Sequence, residues 1–182
     1  MGIFYTGKGD GGKSVVWDKK KLDKASPELA ALGDLDELTC LLGLARNQKL
    51  PSTYKEILLG LEEDLFIIQA NLYLYVIRRK EKAPKFGEEK VKKLERFADE
   101  LEKYVNPERG FVVPGEDPAG AWLDYARAVS RRAERSVWVC NKKLKLPPAI
   151  LAYLNRLSSV LFALARAAAK KSKRKELHPK YQ

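Results

Sequence analysis

The chain has 182 residues, 45% of them hydrophobic and 32% charged, with a formal net charge of +11. That length points to a single domain able to bury about 70% of its unfolded surface, and no uninterrupted apolar run reaches the ~18 residues a membrane span needs. Two widely separated cysteines, Cys40 and Cys140, exclude a disulfide scaffold and a cysteine metal centre, and with no basic-then-apolar leader the expectation is a cytoplasmic protein.

Residues 1–33 read as irregular. The Met-Gly start and Thr6 match fragments of a myristoylation pattern that nothing else supports. A short strand candidate, GIFYT, leads into GKGDGGKS, Gly7 to Ser14, which fits the P-loop pattern letter for letter. A P-loop needs a buried strand before it and a helix opening at its Lys-Ser pair. Here VVWDKKKLDKASP follows, rich in β-branched residues and lysine, and no βαβ units come later. Two uses of the glycines remain: a plain hairpin or turn, and a backbone cradle for a polyphosphate. Thr6, Lys8, Lys13 and Ser14 suit the second use, and Lys24 adds a charge.

From residue 34 the pattern turns helical. Leu38, Leu41, Leu42 and Ala45 mark a helix over 34–46. Ile57, Leu61, Leu65, Ile68, Leu72 and Tyr75 mark a second over 54–79. Val91 to Val105, Leu123 to Cys140 and Leu151 to Ala165 give three more stripes. Leu50-Pro51-Ser52 breaks the first pair, with Ser52 as expected N-cap. Ala83-Pro84 to Gly87 breaks the next, and Pro147-Pro148 opens the last helix. The prediction is an all-α, five-helix bundle of ferritin-like up-and-down topology over residues 34–169, preceded by an irregular nucleotide loop.

Two stretches stand apart. NPERGFVVPGEDP, 106–118, is long for a link between helices, and such links often carry function. Its Phe111, Val112 and Val113 need apolar cover. The tail from 170 to 182 has six positive residues and one negative, so it holds +5 of the net +11 and reads as a disordered basic end. The single histidine, His178, sits there before a proline and reads as non-catalytic.

Arg127, Arg131 and Glu134 are spaced by four and three, along one side of the fourth helix, with Arg132 and Arg135 beside them. Guanidinium groups grip phosphate in bidentate fashion. An exposed face of ordinary ion pairs has the same spacing. Asn155, on the last helix, is either a surface residue or a group that reads adenine or ribose.

The motifs YTGKGDGGKS (5–14), LGDLDEL (32–38), RGFVVPGEDP (109–118), ARAVSRRAER (126–135) and YLNRLSSVLFALAR (153–166) occur in one order. Together they resemble the PduO-type ATP:cob(I)alamin adenosyltransferases. The resemblance implies a five-helix homotrimer with active sites between neighbouring subunits. The implied reaction moves the 5′-deoxyadenosyl group of ATP to cobalamin, giving adenosylcobalamin and triphosphate, with Mg2+ accompanying ATP. It assigns Thr6, Gly7, Lys8, Gly9, Ser14, Val15 and Lys24 to the triphosphate. Arg131 through Arg135, taking in Arg132, Ala133 and Glu134, lie with Asn155 at the nucleotide. Asp34 and Arg127 would bridge subunits, and Phe111 would pack on the corrin face, with Arg131 and Phe111 the catalytic pair. A corrinoid reductase and an adenosylcobalamin-dependent client enzyme are implied partners, and nucleic acid and membrane are not. Ser14, Ala30, Thr39, Glu116 and Ser159 depart from the family's usual residues. On this reading the basic tail is dispensable, whereas a nucleic-acid-binding protein would need it and a P-loop phosphotransferase would release ADP or phosphate.

Overall fold

Ser26, Pro27 and Glu28 start the first helix. The Ser26 hydroxyl accepts from the Leu29 amide, Pro27 occupies the first turn, and Glu28 faces the positive helix end. Helix α1 therefore runs Pro27–Arg46, seven residues earlier than the apolar stripe alone predicts. In this computed structural model, which describes residues 4–16, 21–108 and 110–180, it is followed by α2 (Ser52–Val76), α3 (Glu88–Val105), α4 (Pro118–Leu144) and α5 (Pro148–Lys171). The Met-Gly start, Trp17 and Arg109 of the 109–118 motif lie outside the described residues.

Other boundaries are corrected as well. Ser52 is the first residue of α2 and makes no capping bond; Pro51 holds the cap position. Helix α2 stops at Val76, three residues short of the expected end, because Arg78 takes a left-handed φ of 60°. Helices α3 and α4 close on left-handed Asn106 and Lys145, and Asn141 Oδ1 accepts from the Leu146 amide to seal the second turn.

Helix α1 packs between α2 and α4, and α5 packs between α4 and α3. The stripe residues meet inside: Leu38, Leu42, Leu65, Leu72, Leu123, Ala126, Ala133, Leu154, Leu157 and Leu161 are fully buried. Burying a leucine contributes roughly 1.5–3 kcal/mol, so this shared core explains why the five helices form together. By length and composition α5 could cross a membrane, but its leucines face the other helices, which accounts for its apolar content.

One polar cluster is threaded through the core. The Tyr153 hydroxyl donates to Asp64 at 2.9 Å, Lys90 pairs with the same carboxylate, and Phe86 meets the Tyr153 ring edge-on at 5.1 Å. Burial first, and the Asp64 charge second, hold the Tyr153 hydroxyl far above its ordinary range. Burial likewise pushes the Cys140 thiol up to about 11, with Glu28 adding to it, so this cysteine is an inert core group.

Candidate active site

The glycine segment folds as a hairpin. Strand β1 (Lys13–Val15) pairs antiparallel with β2 (Lys21–Asp23), placing Ser14 opposite Leu22. No helix opens at Lys13, so the P-loop geometry is absent despite the letter match. Before β1 the chain makes two tight turns, Asp10 N–H to Gly7 O and Gly12 N–H to Gly9 O. Gly7 and Gly12 have φ of 66° and 74°, values that glycine adopts without steric cost. Thr6 Oγ1 accepts from the Lys8 amide at 3.4 Å. The Lys24 ammonium lies against Gly9, where a Cβ would sit 3.1 Å from Nζ. Thr6, Gly7, Lys8 and Val15 are exposed, and Gly9 and Ser14 half-buried, so the loop presents amides, hydroxyls and ammonium groups to its surroundings.

The hairpin is anchored by Leu22, which packs on the core beside Tyr75, Val76 and Leu144. Arg131 lies thirteen residues back along α4 from Leu144, about 20 Å at the helical rise. No described contact joins the loop to Arg131, Glu134 or Asn155.

The polar face of α4 divides in two. Glu134 accepts from Asn155 Nδ2 at 3.1 Å, and Arg156 Nη1 donates to Asn155 Oδ1 at 2.6 Å while its Nε bonds Glu95. Asn155 is thus held between α4 and α5 with its neighbours aligned. Arg132 turns the other way and pairs with Asp34 and Glu37 of α1; Ser136 also donates to Asp34. Ala133 is fully buried in the core. Successive residues on a helix point about 100° apart, so only part of the 131–135 run shares one face. Arg131 and Arg135 are exposed, and neither has an ion-pair partner among the described residues. Within one chain Asp34 and Arg127 do not meet; Arg127 faces Asp124 at 3.5 Å.

Arg131 lines a cavity of about 560 Å³ with Arg127, Phe111, Ser158, Phe162 and Arg166. Phe111 is 76% exposed, and Phe162 lies beneath the guanidinium groups of Arg127 and Arg166, at 5.9 and 5.1 Å. Aromatic and cationic groups thus share the lining of this cavity. Phe162, Arg156 and Arg166 went unassigned in the sequence, although Phe162 falls one step off the Leu161–Ala165 core stripe and therefore had to leave the core.

The tail differs from expectation. Helix α5 continues through Lys171, and the chain then folds back: the Val113 amide donates to Leu177 O at 2.8 Å, an isolated antiparallel bridge, and His178 Nδ1 lies 2.9 Å from Phe111 O. Residues 170 and 171 thus close α5, and Leu177 and His178 carry contacts to the 110–116 loop, where composition alone suggests a disordered basic end. The net positive composition concealed a leucine, a glutamate and a histidine that find partners.

Beneath the cavity, Asp124 and Arg166 form a buried pair, each about 5% exposed, that also reaches Arg127 and Glu176. Asp124→Ala is expected to cost about 3–5 kcal/mol in chemical unfolding, because Arg166 would stay buried without its carboxylate. A loss below about 1 kcal/mol would show that water replaces the carboxylate at no cost.

Residues 4–168 match the cobalamin adenosyltransferase family model. The chain is 33% identical over 169 residues to a corrinoid adenosyltransferase of Mycobacterium bovis, covering 91% of this chain and 88% of that protein. It is 31% identical over 164 residues to the corrinoid adenosyltransferase PduO of Salmonella typhimurium, and spans only 49% of that longer relative. A variant of the PduO-type ATP:corrinoid adenosyltransferase from Lactobacillus reuteri, complexed with cobalamin and ATP, superposes with a TM-score of 0.90 at 25% identity, over 97% of this chain and 96% of that one. The chain belongs to the cobalamin adenosyltransferase family.

Proposed function

We propose that this protein transfers the 5′-deoxyadenosyl group of ATP to the reduced cobalt of a corrinoid, at sites completed between neighbouring copies of a cytoplasmic homotrimer. The observation that carries the reading is the shared cavity of Arg131 and Phe111. An unpaired guanidinium suits a phosphate chain, and an exposed aromatic ring suits the flat face of a macrocycle. The ATP- and cobalamin-bound relative of the same fold supports this pairing.

The cobalt supplies the electron pair. It attacks C5′, the C5′–O bond breaks, and triphosphate leaves with that bond's electrons, so no Ser, Cys or His nucleophile is required. The chain's task is placement. The glycine loop, with Lys8, Ser14 and Lys24, holds the triphosphate; Glu134 and Asn155 hold the nucleoside; Arg131 meets charge as it develops on the leaving group. Phe111 covers the corrin face against water and the lower axial base.

Mg2+ belongs with the nucleotide in this scheme. Among the described residues no cluster of three or more His, Cys, Asp or Glu could hold a metal ion. The loop offers Asp10 and the hydroxyls of Thr6 and Ser14, which fit an ion that keeps its waters and is held through substrate phosphates. Bound there, Mg2+ would offset triphosphate charge. A corrinoid reductase upstream and an adenosylcobalamin-using enzyme downstream complete the reading.

Chemically reduced cobalamin and ATP, mixed with the protein under anaerobic conditions, are expected to give a light-sensitive cobalt–carbon product and equimolar triphosphate. Release of ADP or orthophosphate in place of triphosphate would overturn the assignment.

A further inference from the structure

Phe111 stands on a loop with soft ends. Gly110 and Gly115 have φ of 142° and 117°, in the range that favours glycine, and Phe111 through Pro114 lie between them. Such a loop does not fix its own aromatic ring. Among the described residues, every hydrogen bond from 110–116 to another part of the chain ends on the tail: Val113 N–H to Leu177 O, and Phe111 O to the His178 ring. A carbonyl only accepts, so the imidazole must present Nδ1–H to Phe111.

The tail is held in turn by Glu176. Its carboxylate lies 3.4 Å from Arg166 Nη1, and Arg166 keeps Asp124 as a second, closer partner. The Glu176–Arg166 contact is an ion pair without hydrogen-bond alignment; Glu176 Oε1 and Arg166 Nε are buried with no hydrogen-bond partner. Releasing the tail therefore leaves Arg166 still paired and frees a poorly satisfied carboxylate. The contact can open without exposing a lone buried charge.

We propose that Glu176, Leu177 and His178 form a releasable strap that sets the position of Phe111, with Glu176 and His178 as positioning residues for the corrinoid half of the reaction. Glu176 anchors the strap on Arg166, the Leu177 carbonyl fixes the loop's height, and His178 fixes the peptide that carries the ring. Because Arg166 and Arg127 share Asp124, the anchor is linked through that carboxylate to the residue assigned to the subunit junction. The catalytic role of the strap rests on the function proposed above; the contact itself does not.

The test compares the full chain with one ending at Arg174, and with Glu176→Ala, His178→Ala and His178→Asn. Hydrogen exchange at the Val113 amide reads the contact, and steady-state kinetics with chemically reduced cobalamin and ATP read the role. Shortening is expected to speed Val113 exchange by about tenfold or more. It should lower kcat/KM for the corrinoid by about tenfold while KM for ATP moves less than about twofold. Glu176→Ala and His178→Ala should follow in the same direction. His178→Asn should recover most of the loss, because its amide can donate to the same carbonyl. Equal Val113 exchange in the full and shortened chains would overturn the strap. Faster exchange with unchanged corrinoid kinetics would overturn its positioning role. A full chain that forms no cobalt–carbon product would defeat the proposed reaction, and the exchange result would still decide whether the strap holds the loop.

Discussion

Arg131→Ala is expected to lower kcat by about 10²–10³-fold while the helix content and the unfolding midpoint stay unchanged. Both halves of this expectation come from the same observation. Arg46, Arg127, Arg132, Arg156 and Arg166 each answer a carboxylate of the same chain. Arg131 answers none among the described residues, yet it lines the cavity that holds Phe111. Removing it orphans no partner, so the fold has no reason to weaken. On the proposed reaction, what disappears is the forked cation assigned to the negative charge that builds on the departing triphosphate. Arg131→Lys keeps the charge and loses the fork, and its rate should fall between the two. Rates within about threefold of the parent for Arg131→Ala would remove this residue from the chemistry.

Periodicity made the bundle legible. Leu123, Ala126, Ser130, Ala133, Val137 and Cys140 fall on one stripe by their spacing, and all six are buried. The start of α1 was also written in the chain, as Ser26-Pro27-Glu28, but its first turn carries too little apolar pattern to register by stripe counting. Capping chemistry is the better guide there. Within that stripe Ala133 belongs to the core by its spacing, while its neighbours carry the polar face.

Contacts between distant segments were not legible. Arg132 meets Asp34 and Glu37, Arg166 meets Asp124, and Glu176 returns to Arg166. Spacing along one helix says which residues share a face but not which helix that face meets. The tail shows the complementary failure. Averaged charge described KKSKRKELHPK as a solvated run, whereas docking depends on three individual residues, Glu176, Leu177 and His178. Thr39, noted as a departure from the family pattern, is a packing substitution: it is buried, and its hydroxyl donates to Leu35 O and accepts from Gln69.

Two variants that each lack activity are expected to restore it when they assemble together. Lys8→Ala combined with Ser14→Ala strips the loop, and Arg131→Ala strips the cavity; each protein alone should show the large rate loss. The loop is anchored beside Leu144, about 20 Å along α4 from Arg131, a gap much longer than a triphosphate. No described contact closes it within the chain. A copy in a closed ring can supply its loop to the next copy's α4 and α5, a heterologous arrangement in which each junction draws on two chains. Co-expression under two affinity tags, followed by tandem purification and mass measurement, would isolate mixed assemblies. In a ring of three, each mixed assembly pairs an intact loop with an intact Arg131 at one of its junctions, so about a third of the parent activity should return. Exposed Leu44, Trp122, Tyr125 and Trp138 on α1 and α4 supply apolar surface for such a junction. If mixed assemblies form and stay as inactive as their parents, loop and guanidinium must serve the same chain, and the loop would have to swing along α4 to reach Arg131.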